Sequence, residues 1–66
     1  MNKNIPEIGS VWRHHNGNEY EVVTIANLKS TREEYPITVV YKNTQNGTIW
    51  SKPIDNWFGK MTFIRA

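Results

Sequence analysis

Residues 37–52 read Ile37-Thr38-Val39-Val40-Tyr41-Lys42-Asn43-Thr44-Gln45-Asn46-Gly47-Thr48-Ile49-Trp50-Ser51-Lys52, and this stretch decides the fold. Ile37, Val39 and Tyr41 alternate with Thr38, Val40 and Lys42, the period of a half-buried strand. Asn46-Gly47 then marks a hairpin, because a type I′ turn needs positive φ at two successive positions. Thr48 to Lys52 returns as the paired strand, and Pro53, which has no N–H for a ladder, ends it.

Working back toward the N-terminus, Asn16-Gly17 repeats the signal between Ser10-Val11-Trp12-Arg13-His14 and Glu19-Tyr20-Glu21-Val22-Val23-Thr24-Ile25-Ala26. The second of these strands alternates imperfectly: Tyr20 and Val22 share one face, Val23 and Ile25 the other. A bulge near Val22 and Val23, or strong curling, reconciles the two halves. Asn27 to Pro36 is the one long loop, holding Arg32 and the Glu33-Glu34 pair. Working forward, Pro53 to Gly59 reads as one short helical turn, and Lys60 to Arg65 as a last strand. On one helical turn, adjacent Trp57 and Phe58 diverge by about 100°, and the expectation is Phe58 inward with Trp57 partly exposed.

Five short strands, two hairpins and a turn before the last strand predict an all-β, SH3-like five-stranded barrel. An OB-type barrel wants more chain and a helix between strands three and four. The 66 residues make a single domain, 1–66, with its packed core over about residues 8–65. So small a chain buries only about 60% of its unfolded surface, and the chain has no cysteine for disulfides or thiolate metal sites. At least one of Trp12, Trp50 and Trp57 is therefore expected to fill core, Trp12 first, a core tryptophan burying ~150–250 Å². Tyr20, Tyr35 and Tyr41 are expected as core residues with hydroxyls at the rim, and the asparagines as turn formers.

Net charge is +2, and no two of the eight basic residues are adjacent. Bulk attraction to a phosphate polymer is therefore modest, and any anion site must be assembled by the fold. No apolar run approaches the roughly 20 residues of a membrane span, and no apolar stretch of a signal peptide follows Met1. The expected setting is the cytoplasm, with no membrane partner.

Gly9-Ser10-Val11-Trp12-Arg13-His14, Gly17-Asn18-Glu19-Tyr20-Glu21-Val22, Ile25-Ala26, Thr38-Val39-Val40-Tyr41 and Trp50-Ser51-Lys52-Pro53 resemble the motifs of a small bacterial and phage domain family of unknown function. The resemblance covers about Ile8 to Phe63. Lys52 stands where that pattern prefers arginine, which replaces a planar fork with a point charge. The resemblance implies a phage accessory protein, acting as a stoichiometric inhibitor or sponge in host defence, in the cytoplasm of the host.

Catalytic chemistry finds little footing. Ser10, Ser30 and Ser51 lie in no strained-turn signature, Glu33-Glu34 share one loop, and the four glycines form no phosphate loop. His14 and His15, adjacent on a strand, point to opposite faces and cannot chelate one metal together. The expectation is a protein that is not an enzyme and uses no metal or cofactor. Arg13, His14, Trp50, Lys52 and Trp57 instead interleave aromatic rings with cations, which is what stacking a base and neutralising a phosphate require. They are the candidate ligand-binding residues, for a nucleotide-like small molecule or a short single-stranded nucleic acid. The alternative is a protein-interaction module that docks a host or phage protein through Trp57, Tyr35 and the Arg32-Glu33-Glu34 loop. Homodimerisation through an open edge strand is a variant of it.

Overall fold

A computed structural model describes residues 5–66; Asn2, Lys3 and Asn4 lie outside the described residues. Five strands follow in order: β1 (Val11–His14), β2 (Glu19–Ala26), β3 (Thr38–Asn43), β4 (Ile49–Pro53) and β5 (Met61–Arg65), with a 3₁₀ turn, Ile54–Asn56, before β5. All neighbours are antiparallel, in the spatial order β4-β3-β2-β1-β5. The all-β reading holds. Closure into a barrel does not follow from it, because β4 and β5 end the sheet without pairing to each other. Among the described residues, no helix is long and apolar enough to cross a membrane.

The broken alternation of β2 has its cause in the ladder. Val22 pairs with Tyr41, but Thr24 pairs with Val40, so Val23 is an extra residue bulged out of register. The bulge returns Ile25 to the face of its partner Val39, and both halves of β2 thereby serve one core.

Neither hairpin is the two-residue type I′ turn expected. Gly17 (φ 98°) and Gly47 (φ 75°) are left-handed, while the asparagines before them are not. His14 N–H bonds to Asn18 C=O and Gly17 N–H to His14 C=O, both at 2.8 Å, a turn closed by a single left-handed glycine. The asparagines act through their side chains. Asn16 Oδ1 accepts from Asn18 N–H at 2.9 Å, and Asn46 Oδ1 accepts from Thr48 N–H at 3.0 Å. Buried Asn43 caps the second loop, its Oδ1 accepting from Gln45 N–H (2.8 Å) and Asn46 N–H (3.2 Å).

One face of the sheet carries the core: Trp12, Tyr20, Val22, Val39, Tyr41 and Met61, covered by Ile54 and Trp57 from the 3₁₀ segment. Trp57 is fully buried and Phe58 is 44% exposed, the reverse of the expected assignment. Ile54 sets the phase. It is buried, Trp57 N–H donates to its carbonyl at 3.1 Å, and residues three apart on a 3₁₀ turn share a side. Trp12 is core as expected. Its indole N–H donates to buried Ser10 Oγ at 2.9 Å, and that hydroxyl donates to Glu7 C=O at 2.6 Å. Ser10 is therefore a structural relay. Of the tyrosines, Tyr20 and Tyr41 are buried; Tyr35, on the long loop, is exposed.

Candidate functional site

The register places the candidate residues. Trp50 pairs with Tyr41 and Lys52 with Val39, so both stand on the core-bearing face. Tyr20 pairs with Trp12 across β1–β2, and His14, two residues beyond Trp12, shares that face. His14, Trp50 and Lys52 thus lie on one side of the sheet. A run of edge-to-face rings joins His14 to the core: His14 to Tyr20 at 6.5 Å, Tyr20 to Tyr41 at 5.0 Å, and Tyr41 to Trp57 at 5.0 Å between centroids. Burial raises the Tyr41 hydroxyl pKa, and neighbouring Tyr20 adds to it.

Trp50 is 53% exposed, although it belongs to a strand of a very small protein. Its indole is nevertheless held. Nε1–H donates to Thr48 Oγ1 at 2.8 Å, and Thr48 Oγ1 donates to Asn46 Oδ1 at 2.7 Å. The indole therefore lies along β4 in a set orientation, so little rotamer entropy remains to be lost when a ring stacks on it.

Positive charge gathers at His14. The His14 pKa lies below its ordinary value of 6.5, first through partial desolvation, then through the positive potentials of His15, Lys52 and Lys60; a hydrogen bond with the Asn16 side chain pulls the other way. The backbone N–H of Asn16 donates to His14 Nδ1 at 3.1 Å, which suits the neutral ring with its proton on Nε2. Among the described residues, none of the charges that act on the His14 pKa is a carboxylate, so the locality is one that an anion would relieve.

Two candidate residues fall elsewhere. Arg13 points to the opposite face and pairs with Glu19 at 3.0 Å, both side chains largely in water. Adjacent strand residues face opposite ways, so Arg13 cannot join His14. Trp57, being fully buried, belongs to the floor and not to the contact surface. The two histidines depart from expectation as well. β1 ends at His14, His15 lies in the turn, and their rings stack at 4.2 Å and 32° instead of diverging. Among the described residues, no three histidine, aspartate or glutamate side chains gather to hold a metal ion.

Two concavities are lined by residues other than His14, Trp50 and Lys52. One of about 520 Å³ lies beneath the long loop, between Arg32, Tyr35, Ile37 and Ile54. Another, of about 420 Å³, is walled by Ile5, Trp12, Phe58 and Phe63. The exposed indole of Trp50 suits a flat ligand laid against a ring. Lys60 is the contributor that sequence reasoning missed. It follows the 3₁₀ turn, and His15 N–H donates to its carbonyl at 3.1 Å, which sets β5 beside the histidines.

No curated protein and no solved structure matches the chain. A family model does, over residues 10–64, a span that takes in all the motifs from Ser10 to Pro53. With the match covering nearly the whole sheet, the chain belongs to DUF1653, a family of proteins of unknown function.

Proposed function

We propose that the protein is a non-enzymatic binding module that captures a planar, anionic, nucleotide-like ligand on the face shared by Trp50, Lys52 and His14. The observation that carries the reading is an exposed, hydrogen-bond-oriented indole on the sheet face that it shares with Lys52 and His14. A ring would stack on Trp50, and phosphate oxygens would meet Lys52, Lys60 and protonated His14. The scaffold reads as SH3-like in connectivity, since β5 returns beside β1 after a single 3₁₀ turn. The phage setting, with capture serving as inhibition of a host defence, enters through the sequence resemblance alone.

The test is tryptophan fluorescence, because Trp50 is the exposed reporter and Trp12 and Trp57 are covered. Mononucleotides, cyclic nucleotides and short single-stranded DNA are titrated at low and moderate salt. Quenching by a small nucleotide at both salts, lost in Trp50→Ala with the near-ultraviolet dichroism of the core kept, supports the reading. Quenching by DNA alone, abolished by salt, makes the protein a weak nucleic-acid binder instead. A flat response overturns both.

A protein-docking reading keeps one specific support. Tyr35 is 55% exposed and Arg32 lies over its ring at 5.8 Å, an oriented pair on the long loop. Trp57, being buried, takes no part in it.

A further inference from the structure

β4 ends the sheet, and its outer edge has no strand partner among the described residues. Ladder parity tells which of its backbone groups face outward. Asn43 N–H donates to Thr48 C=O and Ile54 N–H to Ile37 C=O, each at 2.9 Å, at the two ends of a register without slips. Hydrogen-bonded pairs alternate with non-hydrogen-bonded ones in an antiparallel ladder. Trp50 and Lys52 therefore bond inward to β3, while Ile49, Ser51 and Pro53 turn their backbone groups outward. Only Pro53 lacks an N–H to offer.

We propose that β4 pairs antiparallel with β4 of a second copy of this chain, about a two-fold axis at Ser51. The two Ser51 residues then exchange a pair of N–H···O=C bonds, and each Ile49 N–H donates to Pro53 C=O of the other copy. The missing proline N–H falls where the ladder stops. On the core-bearing side, Trp50 stands directly opposite Lys52 of the second copy, twice over, which sets an ammonium against each indole. The strand is thus complementary to itself in backbone and side chains, as an isologous contact must be.

The competing pairings lack this match. A register centred on Trp50 sets indole against indole and leaves Lys52 opposite Thr48. The other edge, β5, carries Arg65 and follows Lys60, so self-pairing about Phe63 brings Arg65 of one copy beside Lys60 of the other. Pairing β4 with β5 sets cation near cation and is open-ended. Five-residue strands bury far less than the roughly 1,200–2,000 Å² of a standard interface, so association is weak and concentration-dependent. Both faces of the extended sheet stay open, and the inference does not depend on the ligand reading above.

The test is sedimentation of the full chain from micromolar to millimolar concentration, with two variants. The wild type is expected to pass from the 7.7 kDa monomer to twice that mass. Ser51→Pro removes the central outward N–H without touching the β3–β4 ladder, and is expected to stay monomeric with its dichroism unchanged. Ser51→Cys covers the case in which the proline variant fails to fold. Hydrogen-bonded partners have Cα atoms about 5.5 Å apart, within disulfide range. This otherwise cysteine-free chain is then expected to crosslink under mild oxidation, whereas Ile49→Cys, four residues out of register with its own copy, is not. A monomer at every concentration overturns the proposal. So does a dimer that crosslinks as well through Ile49→Cys as through Ser51→Cys.

Discussion

The indoles of Trp12 and Trp57 meet edge to face, with centroids 5.6 Å apart and planes at 71°. Phe58 and Phe63 close on Trp12 at 5.7 and 5.4 Å, so one strand tryptophan joins the covering segment to the last strand. In a chain of 66 residues, this cluster supplies much of the apolar area that opposes chain entropy.

Removing Trp57 should therefore threaten folding itself. Trp57→Ala is expected to destabilise by ~3–5 kcal/mol, a large fraction of the stability of so small a domain. Trp57→Phe should cost less than the lost volume suggests, because Trp57 Nε1–H is buried with no hydrogen-bond partner among the described residues and phenylalanine has no such group to bury. Urea midpoints of the two variants check the order. A Phe variant as unstable as the Ala variant would show that the N–H is not a liability.

The second hairpin depends on a side chain that its sequence signature does not advertise. Asn43→Ala leaves two loop N–H groups without their acceptor, and is expected to cost about 1–2 kcal/mol. Gly47→Ala meets no neighbouring atom, so its penalty comes from the left-handed φ alone, at roughly 1 kcal/mol. Thermal denaturation of both variants and the double variant separates the effects. Coupling is expected between them, since both hold the same loop.

Much of this architecture is legible in the amino-acid sequence. Strand limits fall within about one residue, because Val, Ile, Thr and Tyr runs bounded by Asn-Gly and Pro carry a two-residue period. The β2 bulge was legible for the same reason: two apolar pairs on opposite faces must be reconciled somewhere. The phase of the 3₁₀ turn was not, since three residues contain no repeat to read; the Ile54-to-Trp57 spacing was the available signal. For the candidate site, alternation correctly grouped Trp50 with Lys52 and Trp12 with His14. It also places Arg13 opposite them, where the structure has it pair with Glu19. Lys60 was invisible, because its approach to His14 depends on how β5 returns beside β1.

Arg13 provides a control. Its pairing with Glu19 is exposed, at 53% and 39% for the two side chains, and such pairs contribute about 0–1 kcal/mol. Arg13→Ala should leave both the unfolding midpoint and nucleotide quenching close to wild type. A large loss of quenching would mean that the ligand lies on the opposite face.

Titration of His14 reports directly on the cationic face. Its folded pKa is below 6.5, through desolvation first and then His15, Lys52 and Lys60, so the unfolded chain binds this proton more readily. Stability from this group is full above the unfolded pKa. It falls as pH drops below that value and levels off beneath the folded pKa. Lys52→Ala removes one of the repelling charges, and should raise the His14 midpoint followed by NMR of the ring protons. An anionic ligand should do the same from the other direction, by favouring the imidazolium. Nucleotide affinity is then expected to rise as pH falls through the His14 pKa, and to lose that dependence in His14→Gln. If the midpoint is unmoved by both Lys52→Ala and saturating nucleotide, then His14, Lys52 and the ligand do not share one face.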